Sequence, residues 1–233
     1  MPCRLDTSNR ENTTDNKKYI AIGDIHGCAK SLMALLGKIQ PYSDRTHVFI
    51  GDYIDRGPDS RGVVDAVMEF ARHHSCIFLC GNHESMLADA IRTGERTFWI
   101  INGGIETLES YQVNDPLEIP DDHRQFLAEG RLWFETPDYL FIHAGLDPER
   151  SVREQLASPD AEHAALWERS HVDRPVVWEK PVVFGHTPVR EPLIEERKMA
   201  IDTGCVFPDK GYGYLSALLL PEKKVISQEC LDF

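Results

Sequence analysis

The chain has 233 residues, 42% apolar and 27% charged, with a formal net charge of -13. That profile suits one globular domain with a buried two-sheet core, and it disfavours nucleic acid, since no Lys/Arg cluster relieves the negative field. No apolar run approaches the roughly 20 residues of a membrane span, and the polar start lacks the apolar stretch of a signal peptide, so no membrane partner and a cytoplasmic location are expected.

Residues 1–16 are rich in Asn, Thr, Asp and Arg without periodicity and read as a flexible tail. One catalytic domain is expected over 17–233. Short apolar runs then recur at Tyr19–Gly23, Val48–Gly51, Ile77–Gly81, Tyr139–His143, Val182–His186 and Met199–Asp202, each ending in Gly or a reactive polar residue. They read as buried strands. Leu32, Leu35, Leu36 and Ile39 carry helical spacing, as do Val64, Val67, Met68 and Ala71. The opening rhythm of strand, loop, helix and strand implies an α/β sheet. From Val182 through Leu215–Leu220 and Val225–Ser227, strand patterns run on without helices, which predicts a second, more antiparallel sheet.

Polar residues gather where the strands end, the place where α/β folds put ligands. In Gly23-Asp24-Ile25-His26-Gly27, alternate residues of an extended segment offer a carboxylate and an imidazole to one cation. Gly51-Asp52-Tyr53-Ile54-Asp55-Arg56-Gly57 places Asp52 at the matching position of the next strand. Two such carboxylates side by side are costly unless cations neutralise them. Gly81-Asn82-His83-Glu84 adds a neutral oxygen donor and an imidazole, and His143 and His186 terminate later strands. A lone histidine at such a position is ordinarily structural; five strand-end sites in one chain exceed coincidence. The six cysteines are scattered, with no CxxC pair and no Cys/His zinc spacing.

The ordered set GDIHG, GDYIDRG, GNHE, HAG and GHT resembles the phosphoprotein phosphatase family, the serine/threonine phosphatases of the metallophosphoesterase superfamily. Cys28, Asn102-Gly103-Gly104, Leu166-Trp167-Glu168-Arg169 and Ile201-Asp202-Thr203-Gly204 look more like its bacterial and phage-type branch. Pro188 after Thr187 departs from the GHxH ending of the wider calcineurin-like enzymes. The resemblance implies a sandwich of two mixed β-sheets flanked by helices. It further implies that Asp24, His26 and a bridging Asp52 hold one metal, and Asp52, Asn82, His143 and His186 the other. Arg56 and Arg169 match the phosphate clamps, and His83, oriented by Asp55, matches the general acid.

Two cations held about 3.5–4 Å apart can share a water and lower its pKa toward neutrality, so the expected nucleophile is a metal-bridging hydroxide. The donor set suits Mn, Fe or Zn better than Ca, and Mn is expected to support activity. The expected substrate is a phosphoserine or phosphothreonine protein, toward which Glu84, Asp55 and Thr187 lean. The alternative is symmetrical cleavage of dinucleoside tetraphosphates, such as diadenosine tetraphosphate. A catalytically inactive phospho-binding module would have lost a ligand or the acid, whereas every such position is filled. Oligomeric state has no signature in the sequence.

Overall fold

The computed structural model describes residues 17–233, so the expected tail at 1–16 lies outside the described residues. Strand β1 (Tyr19–Ile22) pairs in parallel with β2 (Thr46–Phe49), and β2 with β3 (Cys76–Phe78). Two helices make the crossovers, α1 (Ala29–Ile39) and α2 (Ser60–Ala71). Of the predicted stripes, α1 buries Leu32, Leu35 and Ile39 and α2 buries Val64 and Val67 together with Val63, while Leu36, Met68 and Ala71 are half-buried. The side chain of Asp59 caps α2 by accepting from the Gly62 N–H at 2.8 Å. After β3 the chain turns directly into α3 (Asn82–Thr93), which stops at Gly94 in the left-handed conformation.

The second sheet begins with β4 (Trp133–Glu135), antiparallel to β5 (Leu140–Ile142). It continues in parallel through β6 (Val182–Phe184) and β8 (Lys198–Ala200), with the short β7 (Leu193–Ile194) antiparallel on its edge. The chain then returns to the first sheet, where β9 (Tyr214–Leu220) lies antiparallel to β1 and β10 (Lys224–Glu229) pairs outside it. The expected two mixed sheets are therefore present, in the orders β10-β9-β1-β2-β3 and β4-β5-β6-β8-β7. The antiparallel C-terminal strands, however, belong to the first sheet, and the second is parallel at its centre. Apolar runs report burial and carry no information about which neighbour a strand will pair with.

Strand alternation divides the core. Tyr19 and Ala21 of β1 face Phe141, Val183 and Met199 of the other sheet, while Ile20 and Ile22 pack under the helices. On the second sheet Leu140, Ile142, Val182 and Phe184 point outward, into a layer with Leu166 and Trp178. Among the described residues no helix is long and apolar enough to cross a membrane.

Phe141 sits at the centre of the inter-sheet layer, its ring 5.4 Å from that of Tyr19 and 5.8 Å from that of Phe134. Truncation there removes a buried aromatic that the stacked sheets cannot close over. Phe141→Ala is expected to cost about 3–5 kcal/mol in urea unfolding, and the exposed Val177→Ala no more than about 0.5 kcal/mol. Similar losses for the two would contradict this assignment of the core.

Candidate active site

Parallel strands run the same way, so their carboxyl ends collect on one edge of each sheet, and the two edges meet. Asp24 and His26 follow β1, Asp52, Asp55 and Arg56 follow β2, and Asn82 and His83 open α3. His143 and His186 follow β5 and β6 of the other sheet, and Asp202 follows β8. The loops are tied together by their backbones: the N–H groups of Ile25 and His26 both donate to the carbonyl of Asp52, at 3.0 and 2.9 Å.

The backbone conformation marks the site more sharply than any sequence motif. His26, Asp52, Asp55, Arg56 and His186 all have positive φ, between 47° and 74°. Among the described residues only two other non-glycine residues, Gln112 and Lys223, do so. Such conformations cost of order 1–3 kcal/mol each and persist where surrounding contacts over-determine them. Close approach demands glycine alongside: a Cβ on Gly81 would stand 2.1 Å from Oδ1 of Asp52, and one on Gly185 would stand 2.0 Å from Oδ1 of Asp24.

Asp52 lies between two groups of ligand-type atoms. On one side are His26 and His83, on the other His143 and His186, and within each group the ligand atoms, Asp52 included, lie within 4.8 Å of one another. Nδ1 of His26 bonds the carbonyl of Ile54 at 2.9 Å, and Nδ1 of His143 bonds that of Ile50 at 2.9 Å. A carbonyl can only accept, so Nδ1 carries the proton in both rings and Nε2 presents a lone pair. Apart from the Arg56 guanidinium, which reaches Nε2 of His26, those lone pairs face other acceptors. Nε2 of His26 is 3.3 Å from Oδ2 of Asp52; Nε2 of His143 is 3.5 Å from Oδ1 of Asp52 and 3.0 Å from Oδ1 of Asn82. Burial, opposed by Asp52, pushes the pKa values of His26 and His143 down, and burial with His143 takes His186 down to about 2. Neutral imidazoles and carboxylates whose lone pairs converge repel one another unless cations lie between them.

Asp24 completes the pattern, although it falls outside those two tight groups. One of its oxygens accepts from the His186 backbone N–H at 2.9 Å, and the other is buried without a hydrogen-bond partner, as is Nε2 of His186. Burial, then the neighbouring Asp202 and Asp52, raise its pKa well above the usual carboxylate range. Asp202, to which sequence reasoning gave no role, is raised to about 7, by burial first and Asp52 next. This donor set of two aspartates, three imidazoles and one amide oxygen fits borderline divalent cations.

His83 differs from the other imidazoles. Its Nδ1 bonds Oδ2 of Asp55 at 2.7 Å, and its Nε2 is buried with no partner. Burial disfavours its charged form, yet Asp52 together with the bond and charge of Asp55 holds its pKa above the ordinary value. Asp55 is itself fixed by the Trp99 indole N–H at 3.0 Å and the Thr107 hydroxyl at 2.6 Å. Trp99 is thus a buried brace for the dyad. Arg56 stands at the mouth, where its guanidinium donates to Nε2 of His26 at 2.7 Å and lies 5.6 Å from the Phe207 ring centroid. Arg169 is exposed, close enough for its charge to act on His143, His186 and Asp202.

Glu84 was legible only as part of a motif. Its carboxylate accepts from the backbone N–H groups of Asp52 at 2.9 Å, Tyr53 at 2.8 Å and Gly81 at 2.9 Å, and so pins two of the ligand loops to each other. Thr107 and Trp99 gave no such signal, because their partners lie far away in sequence. His47 and His171, given no role, are buried and uncharged, each with its pKa pushed down to about 4 chiefly by burial.

Residues 17–209 match the family model described as calcineurin-like phosphoesterase. The chain is 30% identical to bis(5'-nucleosyl)-tetraphosphatase PrpE [asymmetrical] of Oceanobacillus iheyensis, covering 90% of this chain and 91% of the relative. It is 32% identical to serine/threonine-protein phosphatase 1 of Salmonella typhimurium, over 80% of this chain and 86% of the relative. A serine/threonine phosphatase from Saccharomyces cerevisiae shares the fold, with a TM-score of 0.61 at 17% identity over 95% of this chain and 82% of that one.

The clamp formed by Glu84 generates a prediction. Both of its oxygens accept N–H donors, so Glu84→Gln turns an amide NH₂ against backbone N–H groups. Stability is expected to fall by about 1–3 kcal/mol and divalent-cation affinity by about 10–100-fold. Calorimetric metal titration showing unchanged affinity would mean that Glu84 supports the fold without positioning the ligand loops.

Proposed function

The chain belongs to the calcineurin-like phosphoesterase family, and from that premise we propose that it hydrolyses phosphate monoesters on serine and threonine side chains of proteins. The observation that carries this reading is the contrast inside one buried site. Neutral imidazoles and carboxylates converge on both sides of Asp52, while the neighbouring His83, paired with Asp55, is held toward its protonated form.

Asp24, His26 and Asp52 would hold one divalent cation, and Asp52, Asn82, His143 and His186 would hold the second. When bound, the cations supply an activated water and neutralise phosphoryl charge; Mn fits the donors, as Fe or Zn would. Arg56 and Arg169 receive the phosphoryl oxygens, for which a guanidinium fork is geometrically matched. The Nε2 proton of His83 passes to the leaving oxygen, and Asp55 stabilises the imidazolium before it does so. A serine alkoxide is a poor leaving group that needs this proton. The buried dyad therefore favours an ester over an anhydride.

A second reading has its own support. Relatives named as asymmetrical bis(5'-nucleosyl)-tetraphosphatases match 90% of this chain, and beside Arg56 opens a groove of about 490 Å³ lined by Ile101, Asn102, Phe207 and Lys210. An aromatic ring with a cation 4.5 Å above it suits a nucleobase and additional phosphates. The sequence had suggested the symmetrical cut; the names of these relatives direct this second reading to the asymmetrical one.

The two readings separate on the reconstituted enzyme. A phosphoserine peptide is expected to give the higher kcat/KM; preference for diadenosine tetraphosphate, with ATP and AMP as products, would establish the second reading instead. For the acid, His83→Asn is expected to cost about 10²–10⁴-fold on the phosphoserine peptide and clearly less on p-nitrophenyl phosphate, whose leaving group is stable as an anion. Equal losses with both cations bound would mean that His83 positions phosphate and does not protonate the leaving oxygen.

A further inference from the structure

Apart from the carboxylate–imidazole centre, a second cluster of ligand-type atoms draws on three distant segments. Cys28 precedes α1, Cys205 lies in the loop after β8, and Cys230 directly follows β10. Their sulfur atoms all lie within 4.8 Å of one another. All three are free thiols; Cys28 and Cys205 are buried and Cys230 is partly so. Their spacing in the sequence resembles no zinc motif, which is why sequence reading passed over them.

Cysteines that serve only as small apolar residues have no reason to bring their sulfurs together. Here polar atoms converge as well. The Ser31 hydroxyl donates to Oδ2 of Asp232 at 2.5 Å and accepts from the Leu231 N–H at 2.9 Å. Asp232 in turn accepts from the backbone N–H groups of Lys30 and Ser31, at 2.9 and 3.0 Å. The segment after β10 is thereby stapled across the start of α1, and that staple delivers Cys230 to the other two thiols. Cys28 occupies the N-cap position of α1 yet makes no side-chain cap bond. Its thiol turns inward and lies 3.6 Å from the carbonyl of His26.

We propose that Cys28, Cys205 and Cys230 form a thiolate site for a further cation of the zinc type, separate from the centre around Asp52. Thiolates select such soft or borderline ions. Three sulfurs each about 2.3 Å from one ion stand about 3.8 Å apart, inside the observed spread, so side-chain adjustment alone closes the site. Ser31, a neighbour of Cys205 and Cys230, offers an oxygen for a fourth position. The ion cross-links the loop that carries Asp24 and His26, the loop that carries Asp202, and the segment after β10. It braces the backbone on which His26 is presented without touching the phosphoryl group.

Cobalt(II) is the probe, because thiolate-to-cobalt charge transfer absorbs in the near ultraviolet and none of the donors assigned around Asp52 is a sulfur. Metal-free, fully reduced protein titrated with Co²⁺ is expected to develop this band to a plateau that corresponds to one thiolate-bound ion per chain, and Zn²⁺ is expected to bleach it. Cys230→Ser, at a partly exposed position that leaves little cavity, is expected to abolish the band and remove one cation per chain, while those bound around Asp52 remain. The proposal is overturned if cobalt-saturated wild-type protein shows no such band, or if the band survives both Cys230→Ser and Cys205→Ser. It is equally overturned if two of the three thiols are found paired in a disulfide and no thiolate-bound metal is present. The wild-type spectrum decides even where a variant fails to fold, and none of these outcomes depends on the identity of the phosphorylated substrate.

Discussion

Three carboxylates, Asp24, Asp52 and Asp202, are all but sealed from solvent where the ends of two sheets meet, each no more than 3% exposed. Burying one anion costs several kcal/mol unless something compensates it, and here the anions also repel one another. The neighbouring imidazoles offer little relief, since burial keeps His26, His143 and His186 neutral. Two of them are locked by the carbonyls of Ile54 and Ile50 into the tautomer that turns a lone pair toward Asp52. The architecture becomes coherent once cations are bound, and the rest of the structure can be understood as what holds these anions in place.

That holding is done largely by backbone. Asp52, Asp55 and Arg56 sit in left-handed conformations on a single turn, while Gly51 and Gly81 let neighbouring loops approach to contact. Glu84 gathers the N–H groups of this turn and of the next loop into one carboxylate. Strain of this kind is tolerable because the inter-sheet layer around Phe141, Tyr19 and Met199 is dense and apolar. A rigid sandwich thus supports a site whose side-chain directions would otherwise be unfavourable. The same placement separates roles: His83, which faces Asp55 as well as Asp52, is tuned opposite to the histidines that lack this second carboxylate.

Much of this was legible in the sequence. Strand-end motifs are contiguous, so GDIHG, GDYIDRG and GNHE disclosed Asp24, His26, Asp52 and Asn82 together with their order along the chain. The structure brings these residues together with His143 and His186 at the sheet ends. What escaped depended on partners far away in the chain. Nothing local tells that the Trp99 indole reaches Asp55, that Thr107 joins it, or that Cys28 meets Cys205 and Cys230. The pairing of β9 with β1 was missed for the same reason: the apolar run Leu215–Leu220 announces a buried strand, whereas its neighbour is chosen by the chain's return across the first sheet.

On the proposed reading, Asp52 joins two cations into one centre. This is tested most directly with Mn²⁺, which favours carboxylate and imidazole donors over thiolates, by electron paramagnetic resonance during titration of the metal-free protein. Two bound ions per chain with a spin-coupled spectrum are predicted for the wild type, with loss of the coupling and weakened binding of both ions in Asp52→Asn. Two isolated, uncoupled manganese signals in the wild type, or a coupled pair retained in Asp52→Asn, would contradict the account.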